Sequence, residues 1–296
     1  MQAYSRTIPS FGAIHADGFP ARAFVTPEPS PTRLVFQNHG CTRTAQDQTL
    51  RLDSRPPRST RSDLRGAARH AAGASAARRS AQACPPVYDQ GQLGSCTAQA
   101  IAAALQFDQA KQAERDVFTP SRLFIYYNER AIEGTVDDDS GAMLRDGIKS
   151  VAKQGAPHES LWPHVIARFR HKPSAAAYRD GRKHEAVLYE RLVPVAEQLK
   201  GCLAAGYPFA FGFSVYESFE SAAVARTGEV PMPGRDESLL GGHAVVAVGY
   251  DEPRRRFFVR NSWGTSWGRA GYFTMPYDYL IDQHLSDDFW TIKLVE

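Results

Sequence analysis

The order of hydrophobic and polar residues separates a helical stretch of the chain from a later, strand-rich stretch. Leu144, Ile148 and Val151, for example, share one face of a helical pattern that Gly155 is expected to end. Patterns of this kind predict helices over residues 97–111, 121–131, 142–153 and 195–205. Short β-rich runs between Gly, Pro and Asp turns predict strands over residues 209–215, 243–250, 257–260 and 271–275. Helices followed by strands are typical of an α+β fold with two subdomains.

The first 83 residues lack both patterns. They are rich in Ala, Arg, Ser and Pro and contain only short apolar runs. Such a segment buries too little apolar surface to offset the entropy lost on ordering. We therefore expect residues 1–83 to be a weakly structured or disordered leader, and residues 84–296 to be the folded domain, helical over about 84–190 and β-rich over about 191–296. An inhibitory propeptide and an incorrectly assigned start of the coding frame are the other interpretations of the leader.

Composition and charge narrow the class of protein. The chain is 43% hydrophobic and 23% charged, which excludes a wholly disordered protein. The net charge of +3 is unevenly distributed. Residues 1–83 contain 12 Arg and 5 acidic residues and carry +7, whereas the remainder contains 23 basic and 27 acidic residues and carries −4. A uniformly basic nucleic-acid-binding protein would not divide in this way, so we expect no nucleic-acid partner for the folded domain. Contact of the Arg-rich leader with a nucleic acid or an acidic partner stays open.

Apolar runs and cysteines bear on location and on metal binding. No apolar run approaches 18 residues, and the first residues lack the basic and apolar regions of a secretory signal. We therefore expect no membrane partner, and the sequence favours the cytoplasm. The four cysteines, at positions 41, 84, 96 and 202, form no C-x-x-C pair, which argues against a four-thiolate zinc site and a dense disulfide framework. We expect no metal and no cofactor.

Cys96 is the first candidate for chemistry. Loop-forming glycines at positions 91 and 94 lead into this cysteine at the start of an Ala-rich helical run. A helix N-terminus carries partial positive charge and unpaired N–H groups, which stabilise a thiolate, the nucleophilic form of cysteine. Taken alone, such a cysteine is more often a small buried hydrophobic residue.

Two later segments change that interpretation. His243 heads an apolar run, and Asn261-Ser262-Trp263-Gly264 follows 18 residues later. A lone histidine at the head of such a strand is more often a core residue. Two tryptophans among glycines, however, suggest an indole that shields a buried polar pair from water.

These segments together resemble the papain family of cysteine peptidases, and its bacterial members in particular, over about residues 84–296. Leu93–Thr97 matches in part the family signature C-G-[SA]-C-[WY], and His243 lies 147 residues after Cys96, within the family range of 130–150. Asn261–Gly264 matches the segment that supplies the asparagine of the triad. Gln90 matches the glutamine of the oxyanion hole. The resemblance implies a papain-like fold, with a helical subdomain, a β-rich, barrel-like subdomain and an active-site cleft between them.

The resemblance also implies roles for individual residues. Cys96 would attack a peptide carbonyl as a thiolate paired with the imidazolium of His243, which then acts as general acid and base. Asn261 would orient His243, Gln90 would stabilise the oxyanion, and Trp263 would cover the bond between His243 and Asn261.

For the substrate, the resemblance implies that Ser140, Gly141 and Gly242 contact the peptide backbone. The run Asp137–Asp139 beside this rim either favours basic substrate side chains or is a solvated acidic loop. The chain departs from the family pattern at Leu93, where a disulfide cysteine is common, and at Thr97, where an aromatic residue is usual. Neither departure removes a chemical role.

Two other functions stay open. A transamidase or peptide ligase would use the same acyl-enzyme with an amine acceptor, because the difference lies in the access of water to the thioester. A catalytically silent binding module would keep the fold without the reaction. In each case we expect a monomer that binds peptides or proteins.

Overall fold

A computed structural model describes residues 84–112 and 117–295 of the protein. The prediction of a leader over residues 1–83 lies outside the described residues and stays a prediction.

The described helices and strands follow the predicted order, with additions. The helices are α1 (Cys96–Lys111), α2 (Arg122–Glu133), α3 (Leu144–Gln154), α4 (Ala175–Gly181), α5 (Ala196–Ala204), α6 (Ala222–Thr227) and α7 (Tyr277–Ile281), with a 3₁₀ turn at Ile166–Arg168. The strands are β1 (Ala186–Arg191), β2 (Phe209–Tyr216), β3 (Leu239–Asp251), β4 (Arg256–Arg260), β5 (Tyr272–Pro276) and β6 (Ser286–Val295). The four predicted helices and four predicted strands are confirmed, with ends shifted by a few residues. The sequence analysis missed α4, α6, α7, β1 and β6.

The strands form one antiparallel sheet in the order β1-β6-β2-β3-β4-β5. The central pair, β2 and β3, sets Phe213 opposite His243 and Ser214 opposite Gly242. Strand β6, the last along the chain, lies between β1 and β2. Since β1 comes from the part predicted to be helical, the sheet begins before the predicted boundary near residue 190. The α+β fold class is nevertheless confirmed.

Helix α1 packs on one face of the sheet. Every residue from Cys96 to Gln109 is buried, so this Ala-rich helix is apolar all round and runs through the interior. Its small side chains pack against Ala244 and Val246 of β3, as well as against helices α2 and α3. The nucleophile candidate therefore lies at one end of a buried, closely packed helix.

The opposite face of the sheet carries an aromatic core. Phe209, Phe211 and Phe213 alternate along β2 and are fully buried together with Phe219. Alternation along a strand sends every second side chain to the same face, so β2 presents Ala210 to α1 and phenylalanines to this core. Tyr216, at the end of β2, is half-buried and packs against the same core.

Gly155 ends α3 at a very close approach of two segments. Its φ of +63° is a conformation that residues with side chains rarely adopt. A Cβ atom built at this position would lie 1.7 Å from the carbonyl oxygen of Gly181. The predicted stop signal is thus also the point at which α3 packs against the end of α4.

Candidate active site

Cys96 is the first residue of α1, and only 6% of its surface is exposed. Burial raises the pKa of its thiol to about 12. Hydrogen bonds from the backbone of Ala244, of Thr97 and of Cys96 itself act in the opposite direction, and the charge of Glu129 adds to the rise. The contact with Ala244 places the sulfur beside the residue that follows His243 on β3.

His243 is held by Asn261. The Nε2 atom of His243 lies 2.8 Å from Oδ1 of Asn261, and the backbone N–H of Ser262 donates to the same oxygen at 2.8 Å. Because Oδ1 already accepts one N–H, its remaining lone pair accepts the proton of Nε2. The neutral imidazole therefore carries its proton on Nε2 and leaves the lone pair of Nδ1 free to accept another.

Aromatic rings surround this pair. The ring centre of Trp263 lies 4.9 Å from that of His243, and those of Phe213 and Phe219 lie 5.8 Å and 6.3 Å away. Trp267 packs edge-on against Trp263 at 5.3 Å. This apolar enclosure buries His243 and lowers its pKa to about 4, against the opposing effect of the bond that Nε2 donates to Asn261.

The thiolate–imidazolium pair of Cys96 and His243 stays a prediction, and the burial of both groups acts against it. Burial favours the neutral thiol of Cys96 and also the neutral imidazole of His243. The charged pair therefore depends on the direct attraction between the two groups and on the partial positive charge at the start of α1.

Gln90 lies in the loop before Cys96 with its carboxamide fixed at both ends. Its Nε2 donates to the carbonyl of Leu93 at 3.0 Å, and its Oε1 accepts from Oγ of Ser262 at 2.7 Å. Its backbone N–H donates to the carbonyl of Ser262 at 2.9 Å, so Gln90 and the residue after Asn261 are bonded twice. The second hydrogen of Nε2 has no role in these bonds and is available to an oxyanion.

The predicted substrate rim lies beside the nucleophile loop. A Cβ atom at Gly94 would lie 3.6 Å from the nitrogen of Gly141. The N–H of Gly141 donates to the hydroxyl of Tyr126 at 3.2 Å, and Oγ of Ser140 donates to the carbonyl of Gly141 at 3.0 Å. Gly242 is half-buried on β3, next to His243.

Asp139 was missed as a residue of the site. The sequence analysis treated Asp137–Asp139 as a candidate for basic side-chain preference or as a solvated loop. The carboxylate of Asp139 instead accepts the N–H of Gly94 at 3.0 Å and 3.1 Å and the hydroxyl proton of Tyr126. It thus fastens the rim to the nucleophile loop. The only sequence signal was its position in the acidic run.

Thr97, the second departure from the family pattern, contacts a buried acid. Its hydroxyl donates to Oε1 of Glu129 at 2.6 Å, whereas no donor among the described residues reaches Oε2. Burial raises the pKa of Glu129 well above its usual value. A protonated Glu129 therefore fits this position, and protonation would remove the negative charge that disfavours a thiolate at Cys96.

The remaining cysteines are separate from this arrangement. Leu93 is almost fully buried at the position where a disulfide cysteine is common. Cys84, Cys96 and Cys202, the cysteines within the described residues, form no disulfide with one another. Burial raises the pKa of the Cys84 and Cys202 thiols. No helix in the described part of the chain has the length and apolar character required to cross a membrane.

Comparisons of the sequence with known proteins find similarity to cysteine proteases. The sequence profile described as papain family cysteine protease matches residues 73–284. An uncharacterized peptidase C1-like protein of Acanthamoeba polyphaga mimivirus is 48% identical over 215 residues, which are 70% of this chain and 69% of the viral protein. Cysteine proteinase 3 of Entamoeba histolytica is 27% identical over 200 residues, which are 65% of this chain and 60% of the amoebal protein.

A solved structure is similar as well. Xylellain, a cysteine protease from Xylella fastidiosa, is 45% identical and superposes with a TM-score of 0.68. The match covers 74% of this chain and 90% of the xylellain chain.

Proposed function

The chain belongs to the papain family of cysteine proteases, and on that premise we propose that it hydrolyses peptide bonds through a thioester formed on Cys96. Membership makes it a cysteine-type peptidase whose substrates are peptides or proteins. The assignment of roles to individual residues is our proposal. The observation that carries it is the hydrogen bond between His243 and Asn261, which leaves Nδ1 of His243 as the free proton acceptor.

In the first half of the reaction, Nδ1 of His243 takes the proton of the Cys96 thiol while the sulfur attacks the substrate carbonyl. Negative charge develops on the carbonyl oxygen, and the free N–H of the Gln90 carboxamide and the backbone N–H of Cys96 stabilise it. One such donor contributes about 2.7–4 kcal/mol to the transition state. His243 then gives its proton to the leaving amine, and the thioester remains on Cys96.

In the second half, His243 takes a proton from water, and the resulting hydroxide attacks the thioester. The carboxylic acid product leaves, and the sulfur recovers its proton from His243. Asn261 keeps the imidazole in one tautomer throughout, and the rings of Trp263 and Phe219 exclude water from that hydrogen bond.

We assign the substrate backbone to the rim formed by Ser140 and Gly141 and to Gly242. The Gly141 carbonyl accepts from Ser140 but keeps a second lone pair for a substrate N–H. Its own N–H is engaged by Tyr126, so a substrate carbonyl would have to displace that hydroxyl.

We also propose that the enzyme acts as a monomer in the cytoplasm. All of its candidate catalytic residues come from one chain, so the site needs no second copy. The presence of buried Leu93 at the position where a disulfide cysteine is common fits a reducing compartment.

The test is cleavage of an internally quenched peptide library by the full chain. Cys96→Ala and Cys96→Ser should abolish turnover with an unchanged melting temperature, whereas Cys202→Ala should keep turnover. An epoxide-type thiol inhibitor should label Cys96 alone. Turnover by a folded Cys96→Ala protein would refute the nucleophile assignment.

The same assay separates hydrolysis from acyl transfer. With an added amine nucleophile, a hydrolase should still release mainly the carboxylic acid product. Product found mainly as the amide would instead favour the transamidase.

A further inference from the structure

Three metal-ligating side chains meet in the helical part of the domain, apart from Cys96 and its partners. They are His158, in the loop after α3, Asp180, within α4, and His184, just after α4. Ligand atoms of the three lie within 4.8 Å of one another, and all three residues are half-buried. Two imidazoles and a carboxylate on converging segments form a donor set that the Cys96 site does not use.

Asp180 already orients His158. Its Oδ2 accepts the backbone N–H of His158 at 3.1 Å and lies 2.8 Å from Nδ1 of the same residue. A carboxylate that contacts His158 at two atoms is thereby held beside both imidazoles, where its oxygens can serve as ligands.

One aromatic ring supports both imidazoles. Phe118 stacks on His158 with ring centres 3.8 Å apart and 19° between the planes, and its centre lies 4.5 Å from that of His184. Phe118 is itself buried and forms an apolar wall behind the two rings. The side chains of His158 and Asp180 keep 28% and 16% exposure, so an ion can reach them from solvent.

The backbone around the three residues is fixed without an ion. The carbonyl of His184 accepts the N–H of Ala156 at 3.3 Å, and the N–H of His184 donates to the carbonyl of Gly181 at 2.8 Å. On the other side, His158 forms an isolated β-bridge with Pro120. Three chain segments are thus held in register, which reduces the ordering entropy that a ligand would have to overcome.

We propose that His158, Asp180 and His184 bind a divalent cation of the zinc class. Two imidazoles with one carboxylate suit such a borderline ion, and water can complete a tetrahedral site. At metal–ligand distances of about 2.0–2.2 Å, tetrahedral neighbours lie roughly 3.3 Å apart, so each side chain moves by about 1 Å or less. The cation takes the place of the proton between Nδ1 of His158 and Asp180, and the neutral imidazole keeps its single proton on Nε2.

The bound ion would join the loop after α3 to the end of α4. The expectation of no metal rested on the absence of a C-x-x-C pair, and nothing in the sequence groups His158 with Asp180, 22 residues later, and His184, four residues further on. The inference is independent of the proposed reaction at Cys96, because none of the three residues belongs to that site.

The experiment uses the full chain, stripped with EDTA and alkylated with iodoacetamide so that its reactive thiols bind no metal. Titration with Co²⁺ should show one ion per chain, with visible d–d bands and no near-ultraviolet thiolate band. Zn²⁺ should displace it and raise the melting temperature. The absence of cobalt binding, or a thiolate band in its spectrum, would overturn the proposal.

Variants locate the ion. His184→Ala and Asp180→Asn should each weaken cobalt binding by about a hundredfold or more, because loss of an outer partner alone costs 10–100-fold. His171→Ala and His284→Ala, which change exposed histidines, should bind cobalt as the parent does. Unchanged affinity in both ligand variants would contradict the assignment.

A measurement on the unsubstituted chain covers the case in which a variant fails to fold. Zn²⁺ should protect His158 and His184 from modification by diethyl pyrocarbonate and leave His171 and His284 reactive. Equal modification with and without zinc would overturn the proposal whatever the variants show.

Discussion

Ser262 provides a sharp test of how the oxyanion donor is positioned. Its hydroxyl donates to Oε1 of Gln90 at 2.7 Å, and Gln90 is 8% exposed. In Ser262→Ala the buried Oε1 atom of Gln90 loses its hydrogen-bond donor, and an unsatisfied buried acceptor destabilises the folded state by about 1–3 kcal/mol. Gln90 can relieve the cost by turning its carboxamide, and the donor is then aligned in only a fraction of the molecules.

The size of the effect follows from two limits. Loss of the donor itself, in Gln90→Ala, should lower kcat by about 100–1000-fold. Partial misalignment costs less, and about 1.4 kcal/mol corresponds to a tenfold change. We therefore expect Ser262→Ala to lower kcat about tenfold and to leave KM nearly unchanged, because the bond acts on charge that develops only in the transition state.

The assay is steady-state cleavage of one peptide by both single variants and the double variant. Since Ser262 acts through Gln90, the double variant should be no slower than Gln90→Ala. Ser150→Ala is the matched control, because Ser150 is also buried but its hydroxyl meets no partner among the described residues. Full activity of Ser262→Ala beside an impaired Gln90→Ala would refute the positioning argument, and additive losses would refute the coupling.

Three further predictions concern the imidazole and the backbone. Asn261→Ala should lower kcat less than His243→Ala, because it misaligns the imidazole without removing the acid and base; equal losses in folded proteins would contradict this. The His243 pKa of about 4 lies below the unfolded value of about 6.5, so the unfolded chain takes up the proton first on acidification. Between pH 6.5 and pH 4 the protein should therefore lose about 3 kcal/mol of unfolding free energy. Denaturant titration should show this loss in the parent and not in His243→Asn, and an equal loss in both would contradict the assignment. Gly155→Ala should cost at least about 2 kcal/mol of unfolding free energy, because a side chain meets the carbonyl of Gly181 in a strained conformation. Gly134→Ala, also at positive φ but with open space around it, should cost about 1 kcal/mol, and a similar loss in the two variants would show that the close approach is unimportant.

The long helices and central strands could be predicted because each carries its own pattern of buried positions. Strand β1 could not, since Ala186 is its only buried residue and the other five are exposed. Its extended form comes from pairing with β6, about a hundred residues later. The shortest helices α6 and α7, of 6 and 5 residues, are too brief to show a periodic pattern.

The candidate site could be predicted from the sequence where a residue lies in a recognisable local motif or at a characteristic spacing from one. Cys96 follows a distinctive loop, and the spacing to His243 and Asn261 matches the family. The role of Asp139 depends on Gly94, 45 residues earlier, and on Tyr126, so an isolated view of the acidic run could not find it. The ionisation of His243 was equally hidden, because it depends on rings from β2 and from the tryptophan segment that only the fold brings together.

The place of β6 in the sheet has a consequence for synthesis on the ribosome. Strand β1 is complete at Arg191, but its neighbour β6 does not begin until Ser286. At 5–20 residues per second, translation of the intervening segment takes roughly 5–20 s. During that interval the nascent chain presents the unpaired edges of β1 and β2, with Val187 and Leu188 exposed on β1. A chaperone that covers these strand edges on the ribosome-bound chain should therefore raise the yield of folded enzyme. A chaperone that acts only after the chain leaves the ribosome should raise it less.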